Sequence, residues 1–189
     1  MAKRVFLVHG WGGGPDNDWF NWLKKELEAR GFEVHAPAMP DPENPVITTW
    51  VSTLEKDVGK ADKDTYFIGH SIGCQTTIRY LEKLNVKVGG ALFIAGWFYL
   101  KNLESAEEES IAESWVSERI DLQKVKKNIN KSVVLISTDD PYDALEENAK
   151  VFREELGSKV IIQKNAGHFD APIEPYTSIV MKEFLKITK

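Results

Sequence analysis

The sequence predicts an α/β fold, a parallel sheet with helices on both faces. Apolar runs alternate with amphipathic stretches from end to end, the pattern of repeated strand–helix units. Several apolar runs are continuous rather than alternating, as expected of strands buried on both faces. No internal repeat, low-complexity tract or linker interrupts residues 1–189, which read as one domain.

The first strand is expected at 4–9 (RVFLVH). A helix follows near 18–30, with Asp18 as its cap, Trp19, Trp22, Leu23 and Leu27 on its apolar side and Gly31 as its stop. A strand at 32–36 (FEVHA) and a helix at 46–59 come next. The third strand, 64–69 (DTYFIG), leads into a helix at 72–84 that carries Ile78, Leu81 and Leu84. After a fourth strand at 89–95 the rhythm breaks, because residues 97–131 are more than a strand–helix connection needs. Within Leu100–Asp121, seven acidic and two basic side chains give a charge of −5, the whole net charge of the chain. This stretch is expected to form a small acidic cap-like insertion beside the functional site, the alternative being a solvated helical face. A strand at 132–138 (SVVLIST), a helix at 143–156, a strand at 158–163 (SKVIIQ) and a helix at 174–187 complete the pattern.

Composition excludes several function classes. With 42% apolar and 28% charged residues, the chain has the balance of a soluble globular domain able to bury one sizeable core. A pI near 5.5 lacks the basic footprint of a nucleic-acid binder. The longest apolar run, Ala91–Ala95 continued by Trp97–Leu100, is broken by Gly96 and is too short to span a bilayer. The N-terminus passes directly into a strand without a signal-peptide cleavage site. A single cysteine, Cys74, cannot form an internal disulfide, and a reducing cytoplasm is the expected compartment.

The chemistry concentrates in Gly69-His70-Ser71-Ile72-Gly73, between a strand and a helix. This G-x-S-x-G context is that of a nucleophile elbow, in which flanking glycines admit a turn too tight for side chains. A serine hydroxyl needs a base, and the base needs an orienting acid. The one histidine downstream of Ser71 is His168, in the loop after the last expected strand. Asp139 and Asp140 follow the preceding strand, and either could instead cap a helix with Pro141 at its first position. Asp140 is preferred. Successive residues leaving a strand point to opposite sides, and Pro141 holds Asp140 extended.

Acyl transfer also needs two N–H donors for the developing oxyanion. Ile72, next to the serine, supplies one. Trp11, in the loop His9-Gly10-Trp11-Gly12-Gly13-Gly14 after the first strand, is the second candidate. That loop is not a dinucleotide fingerprint, because Pro15 stands where a third glycine is needed. His9, His35 and His70 lack metal-ligand spacing, so neither metal nor cofactor is expected. Trp97, Phe98 and Tyr99 are candidates to line an acyl pocket, with core packing as the equal alternative.

Together these residues resemble the α/β-hydrolases, and more narrowly the small family of retinoblastoma-binding protein 9 and bacterial YdeN. The shared marks are His9-Gly10-Trp11, Asp18-Trp19-Phe20, Trp50, the elbow through Cys74, Ser137-x-Asp139-Asp140 and Gly167-His168-Phe169. The resemblance implies a six-stranded parallel sheet of order 2-1-3-4-5-6, lacking the first two strands of larger relatives. It also implies Ser71, Asp140 and His168 as nucleophile, acid and base, the acid standing three residues after the small Ser137. No Leu-x-Cys-x-Glu motif surrounds Cys74, so a retinoblastoma-type partner is not expected. The expected activity is hydrolysis of small esters, with amides and thioesters as further candidates, through an acyl-enzyme. The rival is a binding module on a hydrolase scaffold.

Overall fold

A two-residue alternation in the strands sorts the core into two halves. In β1 (Arg4–Val8), Val5 and Leu7 face one side of the sheet while Phe6 and Val8 face the other. In β3 (Thr65–His70), Tyr66 and Ile68 oppose Phe67, and in β4 (Val88–Ile94), Leu92 and Ile94 oppose Ala91 and Phe93. Strands β2 (Glu33–His35), β5 (Ile129–Ser137) and β6 (Lys159–Gln163) complete a six-stranded, all-parallel sheet in the expected order, β2-β1-β3-β4-β5-β6. The computed structural model describes residues 2–16, 18–170 and 177–189.

Helices cover both faces. On one side, α1 (Asp18–Glu28) and α7 (Thr177–Ile187) bring Phe20, Leu23, Leu27, Val180 and Phe184 against the sheet. On the other, α2 (Ile47–Val58) and α3 (Ile72–Lys83) bury Trp50, Leu54, Ile78 and Leu81. The expected side-chain cap at Asp18, and a last helix beginning at 174, fall outside what is described. Among the described residues no helix is long and apolar enough to cross a membrane.

The stretch after β4 holds two helices, α4 (Ala106–Ser117) and α5 (Leu122–Asn128). Ser105 caps α4 by accepting the Glu108 N–H, and Glu108 Oε2 reaches back to the Glu104 N–H at 2.7 Å. This helix buries Ala112 and Trp115 and leaves most of its carboxylates in water. Its C-terminal end is anchored by Arg79 of α3, which donates to the carbonyls of Trp115 and Glu118 at 2.7 and 3.2 Å. One expectation needs correction. The helix predicted at 143–156 starts as α6 (Leu145–Lys150) and continues as a π-helical turn, Val151–Glu155.

Candidate active site

All strands run the same way, so the loops leaving their carboxyl ends gather at one edge of the sheet. Between β3 and α3 there is one residue, Ser71, at φ 53° and ψ −122°. A positive φ at a non-glycine residue costs on the order of 1–3 kcal/mol and has to be enforced by its surroundings. The two glycines make that possible. A Cβ at Gly73 would stand 2.2 Å from the Val8 carbonyl oxygen, and one at Gly69 would stand 2.8 Å from the Cys74 nitrogen. The Ser71 N–H is tied to the Ile94 carbonyl at 2.9 Å. Cys74 is fully buried beneath the turn, where desolvation pushes its thiol pKa up.

His168 Nε2 lies 2.9 Å from Ser71 Oγ, and His168 Nδ1 lies 2.7 Å from Asp140 Oδ2. The carboxylate can only accept from Nδ1–H, so the neutral imidazole presents a bare Nε2 to the serine hydroxyl. Asp140 Oδ1 accepts the Tyr142 N–H at 3.0 Å. Three of the sequence candidates, Ser71, His168 and Asp140, are therefore hydrogen-bonded in series.

Asp139 serves a different group. Its Oδ1 accepts from Ser137 Oγ at 2.6 Å and from the Gly167 N–H at 2.9 Å, and Ser137 Oγ accepts the Ala166 N–H at 2.9 Å. Those hydrogen bonds, the one from Ser137 first, hold the Asp139 carboxyl below its usual range. Adjacent aspartates thus divide the work, one on the imidazole and one on the backbone that carries it. Neither caps a helix, because α6 begins only at Leu145.

His70 completes the support. Its Nε2–H donates to the His168 carbonyl at 2.8 Å, a contact the sequence does not announce because the acceptor is backbone 98 residues away. Burial, then the neighbouring His168, lowers the His70 pKa to about 3. His9 is a second neutral histidine. Its Nδ1–H donates to the Gly10 carbonyl at 2.8 Å, and its Nε2 accepts the Met39 N–H at 3.0 Å. Among the described residues no cluster of three or more His, Cys, Asp or Glu is placed to hold a metal ion.

A cavity of about 400 Å³ opens over Ser71 and His168. Trp11 lines it, and its backbone N–H has no acceptor among the described residues. Ile72 is the first residue of α3, so its N–H has no intrahelical acceptor. The Trp11 loop is braced by Gly12 N–H on the Pro42 carbonyl and by the Trp11 indole on the Glu43 carbonyl, both at 2.8 Å. Trp97, Leu100, Leu103 and Tyr142 give the cavity apolar walls, and Glu43, Glu108 and Asp170 stand on it with no lysine or arginine among the described residues that line it. Of the expected aromatic trio only Trp97 reaches this space. Phe98 packs on Phe152 at 4.8 Å between ring centroids, and Tyr99 is exposed. Tyr142, Glu43 and Asp170 come from loops, where no periodic pattern could have marked them.

Comparison with known proteins follows the same lines. A family model described as serine hydrolase matches residues 5–175. The YdeN protein of Bacillus subtilis is 28% identical over 174 residues, covering 89% of this chain and 87% of that protein. The rat protein named Serine hydrolase RBBP9 is 31% identical over 169 residues, covering 88% and 87% respectively. The crystal structure of the B. subtilis ydeN gene product superposes with a TM-score of 0.83 at 25% identity, covering 97% of this chain and all of that one. The fold is that of an α/β-hydrolase, and the chain belongs to the serine hydrolase family.

Proposed function

We propose that the chain is a carboxylesterase-like hydrolase of small esters, with Ser71 as nucleophile, His168 as general base and acid, and Asp140 as the residue that orients the imidazole. The observation that carries this reading is the unbroken relay from Ser71 Oγ to His168 Nε2, 2.9 Å, and from Nδ1 to Asp140 Oδ2, 2.7 Å. Ser71 Oγ attacks the ester carbonyl while its proton passes to Nε2. The tetrahedral oxyanion accepts from the N–H groups of Ile72 and Trp11. As the intermediate collapses, the imidazolium protonates the leaving alkoxide and an acyl-serine remains. Water, deprotonated by the same imidazole, then releases the acid and restores the hydroxyl.

The cavity supports small substrates of low negative charge. Its volume of about 400 Å³ is at the lower end for ligand pockets. Leu100, Leu103 and Glu108 come from the stretch after β4, which we read as a small cap over the site. Amides and thioesters use the same steps and are further candidates. The buried, reduced Cys74 is compatible with a cytoplasmic setting.

Stopped-flow hydrolysis of p-nitrophenyl acetate and butyrate tests the reading. A burst of about one p-nitrophenol per chain, absent from Ser71→Ala, is expected. A burst that persists in Ser71→Ala would overturn it.

A further inference from the structure

Gln75 and Arg79 lie about one and two turns along α3 from Ser71, and both are buried, at 0% and 4% exposure. The guanidinium makes no ion pair among the described residues. Its Nη1 donates to Gln75 Oε1, its Nη2 to the carbonyls of Trp115 and Glu118 at 2.7 and 3.2 Å, and its Nε is buried without a partner. A charge buried on neutral acceptors alone is costly, which points to a use for the geometry it imposes. Arg79 can only donate, so the Gln75 oxygen faces it. The Gln75 NH₂ is left to donate to the Trp97 carbonyl.

The segment that receives this bond, Trp97–Tyr99, is held by a second fully buried amide, Asn148 of α6. Asn148 Oδ1 accepts the N–H groups of Phe98 and Tyr99 at 2.7 and 2.9 Å, and its Nδ2 donates to the Tyr99 carbonyl at 2.8 Å. The segment is a partition between two spaces. Trp97 lines the cavity over Ser71, whereas Phe98 and Tyr99 line a second cavity of about 160 Å³ with Gln75, Trp115, Ile120 and Val151. The same guanidinium holds the carboxyl-terminal end of α4, whose Glu108 stands on the first cavity, so wall and cap are fixed to one another.

We propose that Gln75, held by Arg79, is a specificity-determining positioning residue: it fixes Trp97 as a wall of the acyl pocket, keeps the second cavity closed to substrate and so restricts the enzyme to short acyl chains. The inference rests on the ester-hydrolase reading above and adds the acyl length to it.

Gln75→Glu tests it. A carboxylate keeps an acceptor for Arg79 and pairs its charge, which preserves the core, but it has no N–H for the Trp97 carbonyl. The measurement is kcat/KM for p-nitrophenyl acetate, butyrate and hexanoate, with thermal melts alongside. In the unaltered protein kcat/KM should drop by about tenfold or more from butyrate to hexanoate, and Gln75→Glu should narrow that drop by at least about threefold. The acetate ester, whose acyl group does not reach the wall, should change little. A residue with only a packing role would lower thermal stability and scale the three esters alike, so a folded Gln75→Glu enzyme with an unmoved length profile would overturn the proposal. Should that variant fail to fold, Trp97→Phe decides: a profile extended toward hexanoate supports the proposal, and an unmoved one overturns it. If the unaltered protein hydrolyses none of the three esters, the ester-hydrolase reading and this proposal fall together. If hydrolysis is present, is lost in Ser71→Ala and keeps its length profile in Gln75→Glu, the Gln75 role alone falls.

Discussion

Replacing Asp140 and Asp139 in turn by asparagine separates two side chains that a sequence reader could exchange. Asp140 accepts twice, from the Tyr142 N–H at 3.0 Å and from His168 Nδ1 at 2.7 Å. An asparagine there has one oxygen. If that oxygen keeps Tyr142, the amide NH₂ faces Nδ1, and the imidazole has to carry its proton on Nε2, where it can no longer take the serine proton. If the amide turns, NH₂ meets the Tyr142 N–H and two donors face each other. Both outcomes disable the base without disturbing the core, and in serine enzymes such a tautomer error costs up to ~10⁴ in kcat, or about 5 kcal/mol at 1.36 kcal/mol per tenfold. Asp139 makes both of its loop contacts through Oδ1, to Ser137 Oγ at 2.6 Å and to the Gly167 N–H at 2.9 Å, and an asparagine oxygen can accept both. Asp139→Asn should lose less than about tenfold, since a neutral acceptor weakens these bonds without removing them. Steady-state kinetics on a p-nitrophenyl ester, with circular dichroism to check folding, measures both. Asp139→Asn emerging as the more damaged enzyme would refute this division of labour.

Two further outcomes follow from the surroundings. His70 is held neutral with a pKa of about 3, against 6.5 for an ordinary histidine, so it adds stability that is complete above pH 6.5 and is lost as pH falls toward 3. At pH 4.5 the loss is about 2–3 kcal/mol at 1.36 kcal/mol per unit, and pH-dependent thermal melts of His70→Gln should show a flatter acid slope than the parent. Equal slopes would mean that His70 is not the group concerned. The carboxylates of Glu43, Glu108 and Asp170 on the cavity should lower kcat/KM for an anionic ester relative to a neutral one of matched size, and salt should narrow the gap. Equal rates at low salt would mean that these three carboxylates do not act on the bound ester.

How much of this was legible beforehand depends on where the signal lies. The strands and the two-sided core followed from local apolar patterns, because each strand reports its burial in its own residues, whereas the strand order came from the resemblance to the α/β-hydrolases. Ser71 was readable since Gly69, Ser71 and Gly73 are consecutive in sequence, and the steric need that fixes them is local. His168 and Asp140 were readable from chain order and strand ends. The contacts of Asp139 and His70 were not, because each acts on backbone groups that only the fold brings near. The break of the helix at Val151 into a π-helical turn has no counterpart in the apolar pattern. Tyr142 reached the site through the loop after β5, where exposure and irregular backbone leave no period to read.

The central claim is that Ser71 is a nucleophile activated by His168. Its most direct test is a fluorophosphonate reaction followed by intact-mass and peptide mass spectrometry. One phosphonyl group should add per chain, on the peptide containing Ser71. Ser71→Ala should take up none, and His168→Ala should react slower by several orders of magnitude. Undiminished labelling of Ser71→Ala, or an adduct mapped to another residue, would contradict the account.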